Sequence, residues 1–353
     1  MAGSARCWRI SVMSISGLGS ENEARFYSRE GDKVRCSLCP HSCLIADNKR
    51  GLCGVRESRD GKLYSLIYGL ASSIHPDPIE KKPLFHFLPG STSLSFGTIG
   101  CNLFCMHCQN FEISHARIGD VPLQHITPED VVQMAKSSRA KSVSWTYNEP
   151  TIWHEFTTAA SKAAHSAGLK TSYVTNGYVQ ETPLRELKGV IDAMNIDVKA
   201  FREEFYKTIC GGKLAPVLKA CELAVELGIH VELTYLVIPG HNDSEKELSD
   251  FSRWVVDRLG SSVPVHFSAF HPDYKLTNVP RTPNKTLSAA YEIARKAGVD
   301  FVYLGNVFAG DRDDTYCPKC GARVIDREGF WVRSMNLQGD KCGKCGTPLN
   351  LVV

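Results

Sequence analysis

The sequence has little excess charge of either sign and only a short apolar stretch near its start. Its 353 residues carry 41 basic and 38 acidic side chains, a formal net charge of +3. No overall field therefore draws the chain to nucleic acid or to a membrane surface. The apolar stretch at 10–15 is too short for a membrane span or a secretion signal. We expect no membrane or nucleic-acid partner, and a disordered leader over residues 1–23.

Cysteine, by contrast, is abundant, with 14 residues. A small secreted protein would pair them as disulfides. In a chain of this length, Cys-x2-Cys pairs without a signal peptide are typical of metal binding in a reducing cytosol. A hydrophobic content of 43% is ample for a core, and the length allows one large domain with appendages. We therefore expect a cytoplasmic, metal-binding protein.

Strand and helix patterns alternate between residues 91 and 308. The predicted strands are 93–99, 142–147, 171–175, 193–198, 230–238, 264–270 and 301–305. One intervening helix starts at Thr127-Pro128, a cap followed by a first-turn proline. Others end at Gly168, Gly228 and Gly298. Such alternation predicts an α/β fold with a parallel sheet and right-handed crossovers. We expect a partial TIM-like (β/α)6 barrel, with a flat doubly wound sheet as the alternative.

Polar residues follow the ends of several predicted strands. They are Asn148, Glu149, Thr175, Asn176, Asp197, Lys199 and His271. Parallel α/β folds build their sites at the carboxyl ends of strands, so these residues predict one concave site. Turns are polar in any case, but two charges in an apolar strand, Asp197 and Lys199, would be costly if buried unpaired.

Three cysteines follow the first predicted strand with the spacing Cys-x3-Cys-x2-Cys. They are Cys101, Cys105 and Cys108. A structural zinc site takes four ligands from two separated pairs, and no fourth thiol is close in sequence. A [4Fe–4S] cluster is normally held by four thiolates, so three would leave one iron open to a small molecule. A structural thiol loop or half of a zinc site is the alternative.

The loop from Gly100 to Asn110 resembles the cluster loop of radical S-adenosylmethionine (SAM) enzymes. The resemblance implies that Cys101, Cys105 and Cys108 hold a [4Fe–4S] cluster whose open iron binds the methionine part of SAM. It also implies one-electron cleavage of SAM to a 5′-deoxyadenosyl radical, which abstracts hydrogen from a substrate. An external low-potential electron donor would be required. The alternative from another class is a non-catalytic metal-binding protein on the same fold.

Further motifs resemble the SAM contacts of this family. Glu149 matches the acid of the Gly-Gly-Glu motif that meets the SAM ammonium, although Tyr147 and Asn148 replace the glycines. The segments with Thr175, Asn176, Asp197, Lys199 and His271 resemble those of the pyruvate formate-lyase activating enzyme group, which implies contacts with the SAM ribose and carboxylate. His107 stands where an aromatic ring often packs on adenine. That group has Asp where this chain has Val174, which makes a cation site there unexpected.

Four more cysteines lie in a front segment, which we assign to residues 24–90. Cys36, Cys39, Cys43 and Cys53 fall within eighteen residues. This density indicates a metal site. The spacing suits zinc or a second iron–sulfur cluster, and both stay open.

The last segment, residues 309–353, carries two Cys-x2-Cys-Gly knuckles. They consist of Cys317 with Cys320 and Cys342 with Cys345. Paired knuckles of this kind predict a zinc ribbon, since so short a segment buries too little apolar surface to fold without a metal. A rubredoxin-like iron centre is the alternative.

From residue 24 to its end, the chain resembles the radical SAM member of the AmmeMemoRadiSam system. The resemblance rests on the front cysteine pattern, the run from Asp77 to Phe87, the Cys101 loop and the paired knuckles. It implies association with Memo-like and Ammecr-like proteins and leaves the substrate unnamed. Activation of a glycyl-radical enzyme is the alternative function.

Overall fold

The computed structural model describes residues 22–307 and 310–353. Most of the predicted leader lies outside these residues, but its last two, Asn22–Glu23, form a strand. All thirteen described cysteines are free thiols.

The strands are short outside one large sheet. In chain order they are β1 Asn22–Glu23, β2 Tyr27–Glu30, β3 Lys33–Cys36, β4 Leu44–Ile45, β5 Arg56–Arg59, β6 Lys62–Ser65, β7 Leu70–Ala71, β8 Ser73–Pro78, β9 Thr92–Gly97, β10 Gln124–His125, β11 Ser142–Trp145, β12 Lys170–Thr175, β13 Ala193–Asp197, β14 His230–Val237, β15 Val265–Ala269, β16 Val302–Gly305, β17 Thr315–Tyr316, β18 Arg323–Glu328, β19 Trp331–Met335, β20 Leu337–Gln338 and β21 Lys341–Cys342.

The helices lie mainly between the strands of the large sheet. They are α1 Phe111–Ser114, α2 Pro128–Ser137, α3 His154–Ser166, α4 Glu181–Arg185, α5 Glu203–Phe205, α6 Leu214–Glu226, α7 Glu245–Trp254 and α8 Asn284–Ala297. Short 3-10 helices span Ile79–Lys81, Pro150–Trp153 and Gly310–Asp313, and π-helical turns span Tyr206–Cys210 and Val255–Leu259.

The large sheet has eight strands in the order β16-β15-β14-β13-β12-β11-β9-β8. The seven strands from β9 to β16 that belong to it are parallel. Each neighbours the next along the chain, so the sheet winds in one direction. A doubly wound sheet would reverse its strand order, and that alternative is therefore wrong. The α/β prediction with six helical crossovers is confirmed.

The sequence signals at helix ends act as predicted. The Thr127 hydroxyl accepts from the Asp130 amide, and the Asp130 carboxylate accepts from the Thr127 amide. This reciprocal cap satisfies two amides that a helix start would otherwise leave unpaired. At the C-terminal end of another helix, α8, Gly298 adopts a φ of 101°, which a residue with a side chain rarely tolerates.

Strand β8 was not predicted, because its sequence is rich in proline. Pro76 and Pro78 lack the amide hydrogen that a central strand must donate. β8 nevertheless pairs antiparallel with β9, as the last strand at one edge of the sheet, and edge strands tolerate proline. The predicted boundary after residue 90 therefore cuts through the sheet.

The front segment lies against the carboxyl ends of the strands. The amide of Gln180, in the loop after β12, donates to the Leu38 carbonyl, with N···O at 3.1 Å. Arg56 of β5 pairs with Glu155 at the start of α3, with N···O at 2.5 Å. Parallel α/β folds carry their active sites at this end of the sheet, so this part of the front segment adjoins the predicted site.

The tail lies at the opposite end, where the strands begin. The connection between β8 and β9 holds it there: Arg327 donates to the Phe85 carbonyl at 2.7 Å, and the Val352 amide donates to the His86 carbonyl at 2.8 Å. His86 also contacts the Tyr303 hydroxyl at 2.7 Å. The tail is thus part of the framework and lies far from the carboxyl-end loops.

A buried carboxylate, Glu232 of β14, fastens this connection to the sheet. It is fully buried and accepts from the backbone amides of Phe85 at 3.0 Å and His86 at 2.7 Å. The rings of His230 and His266 lie 3.1 and 2.7 Å from the same carboxylate. Burial raises the pKa of Glu232, but the contacts with His230 and His266 outweigh it and hold the pKa well below its usual value.

We predict that Glu232→Gln destabilises the fold. Its amide nitrogen cannot accept a hydrogen bond, so at least one buried donor loses its partner. The loss should lower the free energy of unfolding by about 1–3 kcal/mol, measured by urea denaturation. Glu226→Gln, at an exposed position of α6, is the matched control. Equal midpoints for the two variants would contradict the prediction.

Candidate active site

The loop that carries Cys101, Cys105 and Cys108 leaves the carboxyl end of β9. Its entrance is Gly100, with a φ of 84°. A Cβ there would lie 2.7 Å from the Cys53 carbonyl oxygen, so only glycine fits. Further along, the amides of Phe104 and Met106 donate to the carbonyls of Cys210 and Ile209 at 2.7 and 2.9 Å. The loop is therefore held at both ends.

The three thiols of this loop lie close enough for their charges to interact. Burial raises the pKa of Cys101, and the charges of Glu149, Cys105 and Cys108 add to the effect. Among the described residues, the group whose ligand atoms all lie within 4.8 Å of one another is in the tail, not here. The three sulfurs are thus spread more widely than the ligands of a single ion.

A further thiol, Cys210, lies beside the loop. It is fully buried, and it hydrogen-bonds to Cys105, which lowers the Cys105 pKa. The sequence does not assign Cys210 to the site. It gives no sign of the contact with Cys105, because the two residues meet only through the tertiary fold.

Glu149 lies at the carboxyl end of β11 and is 1% exposed. One carboxylate oxygen accepts from the Thr151 amide at 2.9 Å and the Thr175 hydroxyl at 2.7 Å. The other accepts from the Asn176 amide at 2.8 Å. Burial raises the pKa of Glu149, and these hydrogen bonds oppose the rise. A carboxylate has about four acceptor positions, so one remains for another donor.

The turn before Glu149 keeps a glycine-like backbone without glycine. Tyr147 has a φ of 73°, in the left-handed region that side chains disfavour. Asn148 stabilises the turn: its side chain accepts from the Thr98 amide at 3.1 Å and donates to the Gly100 carbonyl at 2.8 Å. Backbone strain of this kind clusters at functional sites.

Two buried asparagines connect the cysteine loop to the loop after β12. Asn176 donates to the Asn102 side-chain oxygen at 2.9 Å and approaches the Cys101 sulfur at 3.7 Å. Asn102 in turn donates to the Tyr178 carbonyl at 2.7 Å. Asn102 was not among the predicted site residues. Its position directly after Cys101 was the available signal.

Asp197 and Lys199, at the end of β13, form an ion pair with N···O at 2.7 Å. The pairing offsets the free-energy cost of burying two charges near this strand. Although burial opposes it, Asp197 and Cys105 raise the Lys199 pKa above its usual value. The Asn242 side chain donates to the Lys199 carbonyl at 2.8 Å. Lys199 is therefore a fixed cation beside the cysteine loop.

The two predicted histidines differ in their surroundings. His107 is 4% exposed, and burial, with the charges of Lys199 and His241, lowers its pKa to about 3. Its Nδ1 atom has no hydrogen-bond partner among the described residues. The His271 side chain is 65% exposed and lies 3.5 Å from Asp273. His107 is thus buried within the cysteine loop, whereas His271 lies at the surface.

The two outer groups of cysteines also converge. In the tail, the sulfur atoms of Cys317 and Cys345 lie 3.6 Å apart, and those of Cys320 and Cys342 lie 3.8 Å apart. In the front segment, Cys36, Cys39, Cys43 and Cys53 line one cavity.

Comparison with known proteins identifies the class to which this fold and site belong. The sequence model of the radical SAM superfamily matches residues 96–252, which span β11 to β14 and the cysteine loop. This stretch of the chain is therefore a radical SAM domain. An uncharacterised protein of Methanocaldococcus jannaschii is 44% identical over 334 residues, which cover 94% of this chain and 99% of that protein. The two belong to one family.

More distant relatives have named activities. The pyruvate formate-lyase 1-activating enzyme of Escherichia coli K12 is 24% identical over 229 residues, which cover 60% of this chain and 91% of that enzyme. Among solved structures, SuiB of Streptococcus suis covers 65% of this chain with a TM-score of 0.49 and 12% identity.

The radical SAM domain defines the general reaction. The protein is an enzyme that cleaves SAM reductively, with a [4Fe–4S] cluster and an external reductant, to a radical that acts on a substrate. None of the helices in the described part of the chain has the length and apolar character to cross a membrane.

Proposed function

We propose that Cys101, Cys105 and Cys108 hold the [4Fe–4S] cluster and that the neighbouring strand ends bind SAM. The observation that carries this proposal is the meeting of three thiols with Glu149 and Lys199 at the carboxyl ends of adjacent parallel strands. The thiols fit a cluster, because each thiolate of a cubane binds a different iron. Their sulfurs are accordingly wider apart than those around a single ion.

When bound, the cluster and SAM together supply one-electron cleavage of the sulfonium and a 5′-deoxyadenosyl radical. The chain's own residues hold and shield the reactants. Glu149 has one acceptor position left for the SAM ammonium, and the Lys199 cation suits the SAM carboxylate. Burial keeps the His107 ring neutral, which suits packing on adenine.

The other assigned residues shape this pocket. Thr175 and Asn176 both donate to Glu149 and fix its carboxylate, and Asn148 fixes the loop entrance. Asp197 orients Lys199. We assign His271 to the outer rim, where its exposed ring would contact the SAM ribose or carboxylate.

We predict that alanine at Cys101, Cys105 or Cys108 abolishes SAM cleavage, because each removes a thiolate of the cluster. The readout is 5′-deoxyadenosine formed with dithionite under anaerobic conditions, which should fall to background. Cys221→Ala is the control, since Cys221 is fully buried in α6 and outside the loop. Continued cleavage by the triple variant would refute the assignment.

We also propose that Cys317, Cys320, Cys342 and Cys345 bind one structural zinc ion. Zinc takes four thiolates at about 2.3 Å in a tetrahedron, which sets the sulfur atoms roughly 3.8 Å apart. The separations of 3.6 and 3.8 Å between opposite knuckles fit this geometry. The tail also lies at the end of the sheet away from the cysteine loop, which supports a structural role.

We predict that Cys320→Ser with Cys342→Ser in the full chain removes one zinc and no iron, measured by metal analysis. The free energy of unfolding should fall, since structural zinc sites supply apparent binding energies of about 10–16 kcal/mol. SAM cleavage per folded molecule should persist at a temperature where the variant stays folded. Loss of iron instead of zinc would favour the rubredoxin-like alternative.

The biological setting follows from the resemblance to the AmmeMemoRadiSam system. We propose a cytoplasmic enzyme with a front segment at 24–90, a core at 91–308 and a zinc-binding tail at 309–353. Its partners would be Memo-like and Ammecr-like proteins and a low-potential electron donor. Its substrate would be a small molecule or macromolecule of that system.

A second candidate function is activation of a glycyl-radical enzyme. Similarity to the Escherichia coli activating enzyme favours it. Against it stand the two cysteine-rich segments and Val174, at the position where that group carries Asp. The first candidate therefore remains the better supported.

We predict that deuterium passes from a labelled substrate of the AmmeMemoRadiSam system into 5′-deoxyadenosine, because the radical abstracts hydrogen directly from that substrate. The measurement is mass spectrometry of 5′-deoxyadenosine after anaerobic turnover with SAM and reductant. Parallel incubations contain candidate partner proteins and are followed by electron paramagnetic resonance. A stable glycyl doublet in a partner would decide for activation instead.

A further inference from the structure

The front cysteines enclose a cavity of their own. Its walls include the four thiols, Cys36, Cys39, Cys43 and Cys53, together with His41, Arg56 and Ile152. Strands β3 and β4 bring the first three cysteines together, since the Cys36 amide donates to the Cys43 carbonyl at 2.9 Å. Cys53 comes from the turn before β5. The four thiols thus line the same cavity.

These thiols are arranged differently from those of the tail. The four tail sulfurs all lie within 4.8 Å of one another, whereas no three of the front sulfurs form such a group among the described residues. Zinc would require sulfur separations of roughly 3.8 Å. The front cysteines share a cavity but stand too far apart for one zinc ion.

The backbone of the front turn also departs from a zinc knuckle. In the tail, the amides of Gly321 and Gly346 donate to the carbonyls of Cys317 and Cys342 at 2.9 and 2.8 Å. Both glycines have positive φ angles, 67° and 71°. The equivalent position after Cys39 is Pro40. Proline has no amide hydrogen and its φ is fixed near −65°, so the knuckle turn cannot form there.

The cavity wall also contains a buried cation. Arg56 is 1% exposed, and it pairs with Glu155 and donates to the Arg25 carbonyl at 2.9 Å. Its Nε atom has no hydrogen-bond partner among the described residues. A buried polar atom without a partner is costly. An occupant with anionic sulfur ligands would supply an acceptor for this donor.

From these observations we propose that Cys36, Cys39, Cys43 and Cys53 bind a second [4Fe–4S] cluster. Four thiolates, one for each iron, are the usual ligand set of a cubane. A cubane holds them farther apart than a single ion does, which fits the wide spacing of the front thiols. The site is independent of the SAM cluster, since it shares none of its ligands.

The second site directly adjoins the cysteine loop. The His41 ring lies 2.7 Å from the carbonyl of Asn102, the residue after Cys101. The Cys53 carbonyl packs against Gly100, the residue before it. Two clusters in these sites would be separated by the Cys101 segment of the loop and by residues that contact it directly.

Metal and sulfide analysis of anaerobically prepared full-length protein tests the proposal. The wild type should contain about eight irons and eight sulfides. The Cys101→Ala/Cys105→Ala/Cys108→Ala variant should keep about four of each, with a Mössbauer spectrum of one [4Fe–4S] cluster. If that variant loses no iron, the cysteine loop holds no cluster, and the proposed SAM site fails while the front site stands.

A front-site variant gives the reciprocal test. Cys39→Ser with Cys53→Ser should lose about four irons and keep the rest, whereas Cys221→Ser, a buried thiol outside all three groups, should lose none. Circular dichroism checks that the variants are folded. Should the front variant not fold, Mössbauer counting on the wild type still decides. The proposal is overturned if the loop variant retains no iron, if the front site holds zinc, or if it holds about two irons.

Discussion

The geometry of the site depends on one buried carboxylate and the donors around it. Glu149 is surrounded by the Thr151 amide, the Thr175 hydroxyl and the Asn176 amide, which belong to two neighbouring strand ends. A buried charge is tolerated only when such donors satisfy it. Because Asn176 also contacts Asn102 in the cysteine loop, the same network ties the loop to both strands. The position of Cys101 therefore follows from the polar groups beneath it.

The two ends of the sheet have different tasks. At the carboxyl ends, short loops carry thiols, a strained turn at Tyr147 and the Asp197–Lys199 pair. At the amino ends, Glu232 and its histidines hold the connection before β9, on which the tail is packed. Parallel α/β folds separate function and stability in this way. The two outer cysteine groups follow this arrangement. The front cysteines adjoin the site, and the tail cysteines lie at the opposite end of the sheet.

Cysteine occurs in three kinds of surroundings in one chain, and geometry distinguishes them. The tail thiols are gathered around one point, with glycine-closed knuckles on both sides. The front and central thiols stand wider apart, and neither set follows the knuckle pattern. Cys221, by comparison, is a small apolar residue in the core of α6. The chemistry of a thiol is therefore set by the number and spacing of its neighbours.

Local patterns in the sequence determined the alternation of strands and helices, the cap at Thr127 and the spacing of the cysteine groups. These features depend on residues that are close along the chain, so they can be predicted from it. Only the tertiary structure decided that β8 joins the sheet in spite of its prolines. At the edge of the sheet, a strand needs amide donors on one side only, so proline is tolerated there. The tertiary structure alone brought Cys210 to Cys105 and Asn102 to Asn176. Contacts between residues far apart in the chain arise from packing, which no local pattern specifies.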